Sequence, residues 1–219
     1  MTWIMSNWEQ IASYAAQHAL LSILPILVAT LIAVPIGRVC NSRGLSLTFL
    51  HGTANVLYAI PSLPLFIVLP SLLGTKILDP INVEVALTMY AVALLLTSSS
   101  DGFSSIDPKV LLSADAMGYS PWKRFMSVEM PLAGPVLMEG IRVASVSTVS
   151  LVTVGSLIGV NSLGYFFVDG YQRNFALEIW VGIIGTALIA LLFDSVIILA
   201  GKLLMPWTRL RDISKGGRA

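Results

Sequence analysis

Ionisable side chains are scarce in this chain, so the places where they gather are the places to look for chemistry. There are two histidines, His18 and His51, and a single cysteine, Cys40. A structural zinc site takes four Cys or His ligands, which this inventory does not supply. One cysteine forms no internal disulfide. No G-x-x-x-x-G-K-[ST] phosphate loop and no G-x-S-x-G nucleophile elbow occurs, and the histidines fall toward opposite ends of the apolar architecture. No basic patch is large enough for nucleic acid. The chain is therefore expected to be no enzyme, to hold no metal or cofactor of its own, and to bind no nucleic acid.

Four polar features remain. Asp194 sits within "LIALLFDSVIILA". A carboxylate at that depth in a membrane costs about 2.5–3.5 kcal/mol, so it must face protein or water. It is either a residue of a solute path or a carboxylate hydrogen-bonded to Ser or Thr on a neighbouring helix. Glu139 and Arg142 are three apart, a spacing that pairs them on one helix face. His51 and Asn55 lie one turn apart and are suited to bonding across helices. The fourth feature is the segment "LLSADAMGYSPWKRFMSVEMP", residues 111–131, with Asp115, Lys123, Arg124 and Glu129.

The elements that position these groups are apolar. Of 219 residues 56% are hydrophobic and 11% charged, against about 25% charged in a soluble domain. The fold class is all-α, a polytopic membrane protein. Against the roughly 20 residues that cross a bilayer core, five stretches are read as spans: Ala19 to Gly37, Leu45 to Leu73, Val85 to Ser100, which is short, Gly134 to Ile158 and Ile179 to Met205. Pro61, Pro64 and Pro70 interrupt the second. A break at Pro61 and Pro64 frees backbone carbonyls, which are tolerated only against protein or a cavity. They either line a translocation path or make a kink that fits the bundle.

Residues 1–18 carry no Lys or Arg and read as an interfacial segment, with Trp3 and Trp8 as anchors rather than as a cleaved signal. Residues 19–205 form the transmembrane domain, residues 101–133 its cytoplasmic loop, and residues 206–219 a basic cytoplasmic tail. With the N-terminus outside, the inner stretches hold eleven of the thirteen Lys and Arg and the outer loops only Lys76 and Arg173. The positive-inside rule selects N-out and C-in.

Within the loop, Asp107-Pro108 is a helix start, because Asp caps free N–H groups and Pro tolerates the first position. Gly118 suits the left-handed turn that ends a helix. Ser120-Pro121 starts a second one. Trp122, Phe125 and Val128 then follow as one apolar stripe, and Pro131 and Pro135 interrupt before the fourth span. Two short amphipathic helices joined at a glycine either lie on the lipid surface or present a rigid knob to a cytoplasmic partner.

This segment resembles the cytoplasmic loop of binding-protein-dependent ABC importer permeases. The family motif runs Glu-Ala-Ala, three residues, Gly, nine residues, Ile-x-Leu-Pro. Anchored on Gly118, its end falls on Val128, Glu129, Met130 and Pro131, and its start on Leu112, Ser113 and Ala114. Leu112 stands where the family has its acid; Asp115, one turn on, offers a partial substitute. The likeness extends through "AIPSLPLF" (59–66), "GIRVASVSTVSLVTVGSLIG" (140–159) and "SLGYFF" (162–167), and looks most like the osmoprotectant branch. After Gly159 only Gly164 remains of that branch's Gly-rich turn.

The resemblance implies a type I importer permease in a bacterial plasma membrane, crossing it several times. It implies as partners two ATP-binding subunits carrying ATP and Mg, a second permease subunit and an extracytoplasmic solute-binding protein. It also implies that Leu112, Ser113, Ala114, Asp115, Gly118, Ser120, Trp122, Phe125, Val128 and Pro131 form the coupling surface toward the ATPase. Candidates for the solute path are Pro61, Pro64 and Asp194. The solute is glycine betaine, choline or carnitine, or alternatively an amino acid or other small solute. Gly155 and Gly159 read as a small-residue pair for helix packing, in this family at the interface with the second permease. From another class, the rival is a stand-alone channel or secondary transporter.

Overall fold

The computed structural model describes residues 2–42 and 47–207, and every described element is helical. The start of the second expected span and most of the basic tail lie outside the described residues. A short α1 (Thr2–Ser6) is followed by α2 (Trp8–Ser42), α3 (Leu47–Ala59), α4 (Ser62–Leu73) and α5 (Pro80–Ser104). Then come α6 (Pro108–Ala116), α7 (Pro121–Arg124), a π-helical segment (Phe125–Glu129) and α8 (Met130–Gly155). A 3-10 turn (Ser156–Ile158), α9 (Tyr165–Gln172) and α10 (Ala176–Leu204) complete the chain.

Three layers of core stack along the α2–α5 and α8 bundle, and a fourth cluster, Val149 of α8 with Phe166 of α9 and Ile189 of α10, seats the last helices. In one end layer Phe103 of α5, Phe125 and Ala133 cluster with Val34 of α2. The middle layer joins Ala29 and Ala33 of α2, Ala54 of α3, Ala91 and Leu95 of α5 and Ala144 of α8. The far layer joins Leu21, Phe66 and Leu69 of α4, Val83 of α5 and Val152 of α8. Small residues let the backbones approach in the middle: a Cβ on Gly37 would run into the Ser99 side chain, and one on Gly140 into that of Ser98. The serine run before Asp101 thus packs α5 against α2 on one side and α8 on the other.

Among the described residues four helical stretches are long and apolar enough to cross a membrane, and the pair α3–α4, bent by 92°, makes a fifth when taken as one span. Neither half reaches alone, at about 20 Å and 18 Å. The two halves pack at successive depths of the bundle: α3 contributes to the middle layer and α4 to the far layer, where α5 begins. The sequence reading of one long interrupted span is corrected to two short helices meeting at a near right angle. Pro61 removes one helical N–H and Pro64 another, which would have bonded the Ile60 carbonyl. The Tyr90 hydroxyl donates to that carbonyl instead.

Three further expectations change. The boundary drawn between residues 18 and 19 falls inside the unbroken helix α2, about 52 Å long. Trp3 is half-buried rather than free for lipid alone: its ring packs edge-on against Phe175 (5.5 Å) and Phe166 (6.3 Å), while Trp8 stays exposed. Gly159 is not part of a helix-packing pair, because it ends the 3-10 turn at φ +88°, a left-handed conformation that glycine adopts without strain. Its neighbour in that reading, Gly155, does pack closely, against Val83.

Candidate functional site

The loop after α5 begins as its residues dictate. The Asp107 side chain accepts from the Lys109 N–H at 2.9 Å and caps α6. Gly118 takes φ +78°, and the Ser120 hydroxyl accepts from the Lys123 N–H at 3.3 Å to cap α7. The second helix then departs from expectation. It does not stop before the fourth span but runs into it through the π-helical segment. The Met130 N–H reaches back to the Phe125 carbonyl, one residue further than in an α-helix. Widening the turn there seats Pro131, which has no N–H to give, at the start of α8. Pro135 is carried inside the same helix.

Charged groups lock this hairpin to the bundle. Arg38, near the end of α2, donates from Nε to Glu129 Oε2 at 2.6 Å and from Nη2 to Oε1 at 3.3 Å. Its Nη2 also donates to the Pro121 carbonyl at 3.2 Å. Arg124 donates from Nε to Glu129 Oε1 at 2.9 Å and from Nη1 to both Asp115 oxygens, at 2.7 and 2.6 Å. A single chain Asp115–Arg124–Glu129–Arg38 thus joins α6, α7, the root of α8 and α2. Glu129 is buried to 6% exposure, and its carboxylate is tolerated there because two guanidiniums face it. The Phe125 ring lies beneath the Arg38 guanidinium, 4.4 Å from its carbon, and packs on Phe103 at 6.2 Å.

The structure therefore divides the residues singled out on this loop. Phe125 and Ala114 are buried, and Val128 and Pro131 are half-buried. Leu112, Ser113, Asp115, Gly118, Ser120 and Trp122 are on the surface. Along the expected apolar stripe the Trp122 and Phe125 rings do meet, at 5.7 Å, but Phe125 is turned into the core and Trp122 is left 66% exposed. Asp115 spends its carboxylate on Arg124. Arg38 and Glu129 were not among the sequence candidates, although Glu129 was placed in the motif; an acid beside an apolar run and two prolines was the available signal.

Asp194 does not pair with Ser or Thr. It receives Arg142 Nε at 2.6 Å and Nη2 at 3.1 Å, and Arg142 Nη1 also reaches Glu139 at 2.7 Å. Arg142 is thus some 18 Å along α8 and belongs to the bundle. Without it, the inner charge count is ten against two. His51 Nε2 approaches Asp101 Oδ1 at 3.4 Å without hydrogen-bond geometry. Pro61 and Pro64 are exposed at the bend, and neither they nor Asp194 line the cleft of about 360 Å³ between α3, α5 and α8.

The described residues thus form a multi-pass helical bundle whose hairpin is held to α2 by ion pairs and is continuous with α8. Residues 29–210 match the family described as binding-protein-dependent transport system inner membrane component, and the chain belongs to that family. Among curated relatives, it is 27% identical to the choline transport system permease protein OpuBB of Bacillus subtilis (strain 168), over 96% of this chain and 97% of that one. It is 31% identical to the carnitine transport permease protein OpuCD of Listeria monocytogenes serotype 1/2a (strain 10403S), over 81% and 79%. It is 30% identical to a glycine betaine/carnitine/choline transport system permease protein of Bacillus subtilis (strain 168), over 89% and 84%. In fold it is similar to a subunit of the MetNI methionine ABC transporter in an inward-facing conformation, at TM-score 0.71 and 17% identity, over 91% and 96%. It is also similar to a chain of an amino acid ABC transporter, at TM-score 0.68 and 14% identity, over 93% and 96%.

Proposed function

We propose that this chain is the permease subunit of an ATP-driven importer for an osmoprotectant of the choline, glycine betaine and carnitine group. The observation that carries the mechanism is the Asp115–Arg124–Glu129–Arg38 chain. A hairpin held only by its two ends would absorb a push by bending. One bolted to α2 and continuous with α8 passes it on as a rigid shift of both spans. The ATP and Mg sit in two separate ATPase subunits, a second permease closes the path, and an extracytoplasmic protein delivers the solute. The relatives' substrates support the solute class.

The charge distribution supports placing the hairpin in the cytoplasm of a bacterial inner membrane. The exposed surface of the hairpin, with Leu112, Met117 and Trp122, is the face offered to the ATPase. An apolar face suits a partner groove better than it suits free solvent. Leu112 in the place of the family acid makes this contact apolar rather than ionic.

The test is uptake in cells lacking other routes for these solutes, with the chain expressed beside its ATPase and binding protein. ATP-dependent accumulation of choline, glycine betaine or carnitine is expected. Deleting residues 112–129 abolishes it while the protein stays in the membrane. Solute flux through liposomes holding this chain alone, without ATP, would instead establish the channel or secondary-transporter reading.

A further inference from the structure

Lipid sorts the faces of this bundle. α10 turns Ile184, Leu188, Leu191, Leu192 and Leu199 outward, all apolar. The face made by α3, α5 and α8 is different. Its cleft of about 360 Å³ has one half of its lining apolar or glycine, including Leu94, Val136 and Val143, and the other half Asn55 and Tyr58 of α3, Thr97, Ser98 and Asp101 of α5, and Glu139 of α8. That volume is within the range of small-molecule sites, roughly 300–1,000 Å³. The Asp101 and Glu139 side chains are 54% and 64% exposed there, so this face meets water or protein rather than acyl chains.

The cleft occupies the half of the bundle nearest the hairpin: Asp101 is three residues from the end of α5, and Glu139 nine from the start of α8. Its floor is closed where α5 and α8 touch at Ser98 and Gly140. Any solute reaching it has already left an extracytoplasmic protein.

Its chemistry is one-sided. Its two charged lining residues are both acids, Asp101 and Glu139: Glu139 accepts from Arg142, which it shares with Asp194 behind the wall, and Asp101 faces His51 at 3.4 Å. Tyr58 is held in place: its ring stands edge-on to Tyr90 (5.9 Å, 88°), and Tyr90 is tethered to the Ile60 carbonyl. Tyr58 remains 45% exposed. An aromatic face held in place suits a methylated ammonium head, and the two acids beside it, Glu139 shared with Arg142, favour a cation over an anion.

We infer that this cleft is a solute-discriminating site of the permease itself, recognising an organic cation with a quaternary ammonium head and disfavouring a zwitterion that carries its own carboxylate. Tyr58 takes the methylated head, and Asp101 with Glu139 supplies the opposing charge. The inference rests on the importer reading above.

The test keeps the binding protein constant. Uptake of labelled choline and glycine betaine is measured through the complete importer carrying the wild-type chain, Tyr58→Leu, Tyr58→Phe, Asp101→Asn or Glu139→Gln. The choline-to-betaine ratio falls about tenfold in Tyr58→Leu and is kept in Tyr58→Phe; the two carboxylate variants lower it too. In a second arm, the wild-type permease–ATPase complex without binding protein, in nanodiscs, binds labelled choline saturably. Tetramethylammonium competes and glycine betaine does not. Unchanged ratios in all variants, no saturable choline binding, or equal competition by glycine betaine would overturn the inference and leave the importer reading standing. Absence of ATP-dependent uptake of either solute by the wild-type importer overturns the importer reading instead, and the binding arm still judges the cleft. That arm also decides the matter if Tyr58→Leu fails to assemble.

Discussion

Arg38 and Glu129, 91 positions apart, are joined by two hydrogen bonds, the shorter 2.6 Å, and through them the end of the first span holds the root of the fourth. Glu129 is shared with Arg124, so its removal strands two guanidiniums, while removal of Arg38 leaves Arg124 still in place. Breaking a buried pair from one side costs about 3–5 kcal/mol, less where a partner keeps some solvent, as Arg38 does. Glu129→Ala is expected to lower stability by about 3 kcal/mol and Arg38→Ala by about 2 kcal/mol. Denaturation of the purified protein in lipid nanodiscs measures both. Equal, negligible losses would show that the chain of ion pairs holds nothing.

Phe125 and Trp122 make a matched contrast, one turn apart with ring centroids 5.7 Å from each other, the first buried and the second exposed. Phe125→Ala removes a buried ring from the layer with Phe103 and Ile106 and is expected to cost about 3–5 kcal/mol. Trp122→Ala removes an exposed ring and should leave stability within about 0.5 kcal/mol. Its effect belongs to assembly: co-purification with the ATPase subunit drops while the isolated chain unfolds as before. A stability loss at Trp122 comparable to that at Phe125 contradicts this division.

Gly118 separates conformation from space. A Cβ there meets nothing within 4 Å, so only its φ of +78° resists a side chain. Gly118→Ala should cost about 1–2 kcal/mol, and Gly118→Asn less, since Asn tolerates the left-handed region. Gly118→Pro cannot hold that φ at all and should end transport without ending membrane insertion. Transport and insertion assays on the three variants give the order Asn, Ala, Pro; any other order removes the turn from the explanation.

Asp194 and Arg142 predict an asymmetry. Asp194→Asn leaves Arg142 paired with Glu139 and keeps a hydrogen-bonding amide in place. Arg142→Met leaves the Asp194 carboxylate within the bundle without its cation, at about 2.5–3.5 kcal/mol. Membrane yield and thermal unfolding should fall far more in Arg142→Met, and Arg142→Met combined with Asp194→Leu should recover most of the loss. Recovery failing in the double variant would point to a role for Asp194 beyond the pair.

The first two helix starts of the loop, the glycine turn and the number of crossings were legible because each rests on local chemistry. Asp107, Ser120 and Gly118 act on their own neighbours, and an apolar run of twenty residues declares its solvent by length alone. The bend at Pro61 was visible as a break but not as a right angle, since the angle is set by what the two halves pack on: Ala54 in one layer, Phe66 in the next. Trp122 and Phe125 looked equivalent because periodicity places residues on a helix face without saying which neighbour covers it.

The sequence by itself determined an all-helical membrane chain, its charge asymmetry, and a polar hairpin capped at both starts and turned at Gly118; these follow from composition and from contacts within a few residues. Only the tertiary structure decided that Arg38 meets Glu129, that Arg142 neutralises Asp194, and that Tyr58, Asp101 and Glu139 share a cleft. Those partners stand 38 to 91 positions apart, and a charge's partner is chosen by the packing of whole helices, through small residues such as Gly37 and Gly140, which no local pattern encodes.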